Sequence, residues 1–292
     1  MKGRVQQITL ANQPGFEKYG RKSRREEFLN VMDAVDPWRE LEVLMSDPAA
    51  EDALYESPVL RRFAGVDLGR AAAPDETTIL RFRRLLEEHS LCGRILDAVN
   101  HYLASRGLRI STGTIVDATI IAAPSSTKNA KQERDPEMHQ TRKGNQWHFG
   151  AKAHIGVDSK HVIVHSVCTS AASVSDVHML PDLLHGAEKK VWGDAGYQGQ
   201  TEAIHAVAPE AQDMTSRRTR RNDAVHQAER SKNRTKARVR SKVEWPFRIL
   251  KRVFGYTQVR YRGLKKNHEW LLAAFALVNI YHHRKRLAAL GA

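Results

Sequence analysis

Cysteine is scarce in this chain: two in 292 residues, Cys92 and Cys168. That number supports neither a disulfide framework nor a thiolate metal cluster. Both stand among apolar neighbours and read as buried thiols. Long apolar runs are lacking too. No stretch reaches the length of a membrane span, and the N-terminal MKGRVQQITLANQPG has no hydrophobic leader core. A soluble protein is expected, with no membrane partner and a cytoplasmic location if bacterial. Negative charge is short in the second part of the chain. Residues 1–100 hold 15 Lys/Arg and 17 Asp/Glu, whereas residues 101–292 hold 32 and 16, within a net charge of +14. Such a balance implies a polyanionic partner, nucleic acid first and an acidic membrane surface second, against the plainer reading of a basic soluble surface.

What is present divides in two. Residues 26–45 read as helix with a break at Pro37, and Asp47 can cap a further helix with Pro48 at its first position. In the stretch 73–107, Ile79, Phe82, Leu85 and Leu86 share one helical face, and Leu91, Ile95, Ala98 and Val99 share another. Gly107 marks an end. From residue 108 the texture changes. LRISTGTIVDATIIAA is β-branched and reads as a strand. NQWHFGAKAHIGVDSKHVIVHSVCTSAAS gives two more strands joined by a polar turn, and DVHMLPDLLHGAEKK reads as a short helix from about Ser175. KKVWGD is the next strand, and WLLAAFALVNIYHH a buried helix near the C-terminus. His282 and His283 read as a solvated helix end. Helices followed by strands that alternate with helices give an α/β chain with a mixed sheet covered by helices, and a helical region 1–107 ahead of a domain 108–292.

Two carboxylates break the strand pattern. Asp117 sits inside GTIVDATII, where alternation sets it on one face with Ile115 and Thr119, and Asp194 ends VWGD before a Gly-rich turn. An ionised carboxylate in such a strand needs a partner. A salt bridge to arginine is one solution, and a shared divalent cation is the other. Two Mg²⁺ ions held by converging carboxylates activate a nucleophile and stabilise a leaving oxygen on phosphorus. A third acid stands in a basic arm. Residues 217–252 carry 14 Lys/Arg and three acids, Asp223, Glu229 and Glu244. Asn233, Arg240 and Glu244 fall near one helical face, and Lys251 returns to it unless Pro246 kinks the helix. Glu244 either neutralises its neighbours or completes a metal-ligand set. Arg217, Arg218, Arg220, Arg221, Arg234, Arg240, Lys251 and Arg252 are the candidate contacts to DNA phosphates. Phe247 and Phe254 read as core anchors, and Trp245 as a core or base-stacking group. The histidines His148, His154, His161 and His165 lack compact zinc spacing, while His178, beside Asp176 at a helix start, is a candidate neighbour of the acids.

Taken together, GTIVDATIIAAPSSTKN, RDPEMHQTRKGNQWHFGAKAHIGVD, VWGDAGYQG and VEWPFRILKRVFGYTQVRYRGLKKN resemble the bacterial insertion-sequence transposases of the IS5 group, in the DDE superfamily. The upstream SPVLRRFAGVDLG and PDETTILRFRRLLEEH are similar to that group as well. The resemblance implies an RNase H-like catalytic domain with Asp117, Asp194 and Glu244 as catalytic metal ligands for Mg²⁺, Mn²⁺ substituting. It implies cutting at terminal inverted repeats, joining of a 3′-OH to target DNA, and a homodimer on double-stranded DNA in the bacterial nucleoid. Of the related Tyr–Arg–Glu–Lys signature, Arg240, Glu244 and Lys251 match and Ala237 stands at the tyrosine. Asn233, Trp245 and His178 would lie just behind the ligands. In relatives a basic, aromatic stretch separates the regions like PWRELEVLM and SDPAAEDALYE. Here Met45 joins Ser46 directly, which implies an incomplete N-terminal domain. Two alternatives stay open beside the transposase: a catalytically silent remnant that only binds DNA, and a nuclease of the RNase H type without strand transfer.

Overall fold

A computed structural model describes residues 47–218 and 226–291. The expected helix over 26–45 lies outside the described residues. Among the described residues four helices come first: α1 (Asp47–Glu56), α2 (Pro58–Ala64), α3 (Glu76–Glu88) and α4 (Leu91–Ser105). Local chemistry sets their ends. Ser57 Oγ accepts from Leu60 N–H with Pro58 opening α2, and Asp75 Oδ1 accepts from Thr78 N–H at the start of α3. At the end of α4, Gly107 takes φ +79° and Leu108 N–H bonds back to Leu103 O at 2.9 Å, the left-handed cap that lets the chain leave the helix.

The buried stripes differ from the expected ones by small rotations. On α3 the buried positions are Ile79, Arg83 and Leu86, while Phe82 and Leu85 are exposed. On α4 they are Cys92, Leu96, Val99, Asn100 and Leu103, with Ala98 outside. Helical spacing permits either stripe, and the neighbour chooses. For α4 that neighbour is α8 (Leu264–Gly291), whose centre from Trp270 to Ile280 is buried almost all round, while α3 packs chiefly on α1 and α4. His283 is buried within α8 and His282 half-buried, so these histidines do not mark a solvated end.

Among the described residues the sheet has six strands: β1 (Gly113–Ala122), β2 (His139–Lys143), β3 (Gln146–Asp158), β4 (Val164–Ala171), β5 (Lys190–Trp192) and β6 (Gln212–Asp213). β3 pairs antiparallel with β1, β2 and β4, and β5 runs parallel to β1 and β6, so the sheet is mixed. The β3–β4 turn is held by buried Asp158, whose carboxylate accepts from Ser111 N–H at 2.7 Å, the Ser111 hydroxyl, Lys160 N–H at 3.1 Å and His161 N–H. The segment from Ser175 is not an α-helix. It forms two short 3₁₀ turns, Asp176–Met179 and Pro181–Leu183, because Pro181 has no N–H for a longer ladder. It packs close: a Cβ on Gly156 would sit 2.2 Å from Leu183 O.

Alternation along the strands gives the sheet two buried faces. Ile115, Ile121, Ile155 and Val157 join α4, α8 and the 243–256 segment in the main core. Val116 and Val191 join Leu180, Leu183, Tyr197 and Ile204 in a second core. This is the RNase H-like layering, a mixed sheet flanked by helices and preceded by helices. A polar clamp ties the layers: Asn279 Oδ1 accepts from Val164 N–H at 2.8 Å, and its amide donates to Val164 O at 2.7 Å and Asn100 Oδ1 at 2.8 Å.

Candidate functional site

Register brings the two strand carboxylates level. In the parallel β1–β5 ladder Ile115 lies opposite Trp192. Two residues further along each strand direction stand Asp117 and Asp194. Asp117 is inside β1 on the face of Ile115. Asp194 follows β5, where its Oδ1 accepts from Gly196 N–H at 2.7 Å and caps the turn Ala195–Tyr197. Buried Tyr197 anchors that turn in the second core.

The third carboxylate arrives from the basic arm. α6 (His226–Arg240), which among the described residues follows α5 (Thr201–Val207) and β6, ends in a 3₁₀ turn, Ser241–Val243. Glu244 then opens the short α7 (Glu244–Arg248), and a π-helical turn Ile249–Val253 follows. The expected break at Pro246 therefore falls earlier, at Ser241–Val243. Pro246 sits in the first turn of α7, where its missing N–H costs little. Val243, Phe247, Ile249, Leu250 and Phe254 are buried and hold this segment on the main core.

Asp117, Asp194 and Glu244 line one cavity of about 650 Å³, together with Thr119, Phe247 and five cations, Lys143, Arg240, Arg248, Lys251 and Arg252. Arg240 Nη1 lies 3.5 Å from Asp117 Oδ2. Burial pushes the Asp117 carboxyl up to about 6; the Ala118 N–H and Arg240 oppose this, and Asp194 and Glu244 add to it. Lys251 Nζ donates to Ile120 O at 2.8 Å, and burial with the nearby Lys143 lowers its pKa.

The remaining candidates are dispersed. Arg217, Arg218 and Arg234 are exposed and do not line the cavity, and Arg220 and Arg221 lie outside the described residues. Asn233 clamps the backbone of Arg217, accepting from its N–H at 3.1 Å and donating to its C=O at 2.8 Å. Trp245 is half exposed, with Arg248 5.5 Å from its ring centroid, and lies off the cavity wall. His178 is exposed and off the wall as well. Two wall cations were not singled out from the sequence. Arg248 hides in a run of like charges. Lys143 closes β2, a polar strand without hydrophobic alternation. Its signal was the Gly144–Asn145 pair, a two-residue hairpin loop with Gly144 at φ +62°.

A hard divalent cation matches the donor chemistry here, since the acidic groups on this wall are all carboxylates. The arrangement does not close around one: among the described residues no three His, Cys, Asp or Glu side chains are grouped so as to hold a metal ion. Arg240 stands against one of the three carboxylates and Gly196 N–H occupies another.

Residues 109–280, more than half of the chain, match the family described as Transposase DDE domain, and residues 38–85 match Transposase domain (DUF772). The chain belongs to the DDE transposase family. The DDE match contains all three acids and every cation of the cavity wall, and the second match runs across the Met45–Ser46 junction. No solved structure matches the chain. Among the described residues no helix is long and apolar enough to cross a membrane.

Proposed function

We propose that this transposase-family chain binds double-stranded DNA with a phosphodiester backbone laid across the Asp117–Asp194–Glu244 cavity. The observation that carries this reading is the wall itself, three carboxylates set among five cations in a cavity wide enough for a sugar-phosphate segment. Arg248 and Arg252 at the rim neutralise backbone charge, and Lys251, anchored on Ile120 O, places its charge on the floor. The Arg240–Asp117 pair and the open grouping of the acids favour DNA occupancy without cutting as the state described here.

Cutting is the finer reading. Asp117, Asp194 and Glu244 would hold Mg²⁺, or Mn²⁺ in its place, which when bound supplies an activated water and charge neutralisation at phosphorus. Asp117 accepts a cation only when ionised, and a bound cation in turn favours the ionised form, so cutting should rise with pH with a midpoint at or below about 6 that falls as metal concentration rises. Arg240 would then exchange Asp117 for phosphate. A water attacks phosphorus and the 3′ oxygen leaves; that 3′-OH next attacks a phosphorus of the target strand, whose own 3′ oxygen leaves, with no covalent enzyme intermediate. The motifs favour the IS5 group, with residues 1–107 serving recognition of the inverted repeats and dimer assembly, and residues 108–292 serving chemistry in a bacterial cytoplasm.

One experiment separates the readings. Supercoiled plasmid carrying the element's borders is incubated with the protein in Mg²⁺, Mn²⁺ or EDTA, and binding is followed in parallel. Metal-dependent nicking plus joined product supports the transposase. Nicking alone supports a nuclease. Binding without nicking supports the silent remnant. Asp194→Asn keeps an acceptor for Gly196 N–H and should bind DNA like the parent but abolish cutting. Full cutting by that variant would remove Asp194 from the chemistry.

A further inference from the structure

A second cavity, of about 210 Å³, lies beyond the C-terminal end of β1. Its wall carries three guanidinium groups, Arg134, Arg260 and Arg262, and two carboxylates, Glu133 and Asp135. Asp135 is occupied: its oxygens accept from Gly263 N–H at 2.7 Å and Glu137 N–H at 3.1 Å. The arginines are braced. Arg134 lies 5.4 Å from the centroid of Phe149, Arg260 lies 5.6 Å from that of Trp270, and Arg262 donates to Arg134 O at 3.4 Å. The in-plane N–H fork of a guanidinium recognises planar and tetrahedral oxyanions. All three residues are exposed.

One segment joins this cavity to the first. It supplies Arg248, Lys251 and Arg252 to the acidic cavity and Arg260 and Arg262 to the second. It is laced to β1 throughout: Lys251 to Ile120 O, Ala122 N–H to Thr257 O at 3.2 Å, and Val259 N–H to Ala122 O at 2.8 Å. Thr119 lines the first cavity and Ala123 the second. Four strand residues span about 13 Å. One DNA strand rises about 3.4 Å per phosphate along the duplex axis while winding around it, so a straight span of about 13 Å joins phosphates about two nucleotides apart.

We infer that the Arg134–Arg260–Arg262 cavity is a second phosphate site, which grips the DNA backbone about two nucleotides from the segment lying over the acids. The inference rests on the proposed DNA-binding function and deepens it. Two grips on one strand fix both its position and its direction across the carboxylates, which a single cationic wall does not.

The test measures the affinity of the full chain for a random-sequence duplex by fluorescence anisotropy between 50 and 200 mM KCl, where each phosphate neutralised adds about 0.9 to the slope of log K against log salt. Arg134→Gln/Arg262→Gln should lower that slope by about 1.5 to 2, and Arg248→Gln/Arg252→Gln by a similar amount. Arginine modification by phenylglyoxal on the wild-type chain, read by mass spectrometry, gives a second measure that needs no folded variant. DNA should protect Arg134 and Arg262 as it protects Arg252. An unchanged slope in the first variant, or equal modification of Arg134 and Arg262 with and without DNA, overturns the second site. If the Arg248/Arg252 variant still loses slope in that case, the acidic cavity keeps its role. A wild-type chain that fails to bind duplex at 50 mM KCl overturns both.

Discussion

Replacing Asp117 by asparagine should make the folded protein more stable at neutral and alkaline pH in the absence of divalent metal. The carboxyl is lifted from 3.8 to about 6, chiefly by burial. Its side chain is only 18% exposed, so solvent screens little of that effect. A folded state that holds its proton more tightly than the unfolded chain loses stability as pH rises from about 3.8 to about 6. The loss is complete above about 6. Roughly two pH units at 1.36 kcal/mol each give about 3 kcal/mol. Asparagine has no charge to bury. The variant should therefore exceed the parent by about 3 kcal/mol near pH 8 and by about 0.5 kcal/mol near pH 4, most of the change falling between pH 4 and 6. Urea unfolding in EDTA across that range measures it. Arg240 loses its 3.5 Å partner in the variant, but at 29% exposure it keeps water as an alternative. A gap that does not change with pH, or a variant less stable than the parent at pH 8, would refute the account of Asp117 as a buried, costly charge.

Two further substitutions test the scaffold that holds the site. Gly156→Ala places a methyl group 2.2 Å from Leu183 O, a backbone atom that cannot turn away, and should cost about 1–3 kcal/mol in urea unfolding. Asn279→Ala strands the N–H of Val164 in the core and should cost about 2–3 kcal/mol with lower thermal stability. An unchanged midpoint in either case would contradict the packing described.

The sequence carried the secondary structure where period and punctuation agree. β-branched alternation marks β1, and apolar residues on all sides mark α8. Gly107 ends its helix through freedom of φ, a local property, whereas the side-chain caps Ser57 and Asp75 were not picked out in the sequence. The Asp117, Asp194 and Glu244 candidates were legible for a related reason: a charge is costly within an apolar strand, and a lone acid stands out in a basic helix. Lines without such contrast were missed, β2 and its Lys143 above all, since an exposed polar strand has no hydrophobic period to betray it.

Tertiary structure decided what lies beyond those local rules. A helix can bury either of two adjoining stripes at nearly equal cost, so packing on α8 and β4 fixed Cys92–Leu96–Val99 over the stripe containing Ala98. Parallel pairing of Ile115 with Trp192 set Asp117 level with Asp194, because register depends on two strands and on the crossover between them. The pairing of Arg240 with Asp117, the turn of Lys251 onto Ile120 O and the dispersal of Arg217, Arg218 and Arg234 follow from where helix α6 ends. The chain determined by itself which residues are chemically costly to place. Only the folded neighbours determined which of those costs are met together, because distance through space is set by packing and not by spacing along the chain.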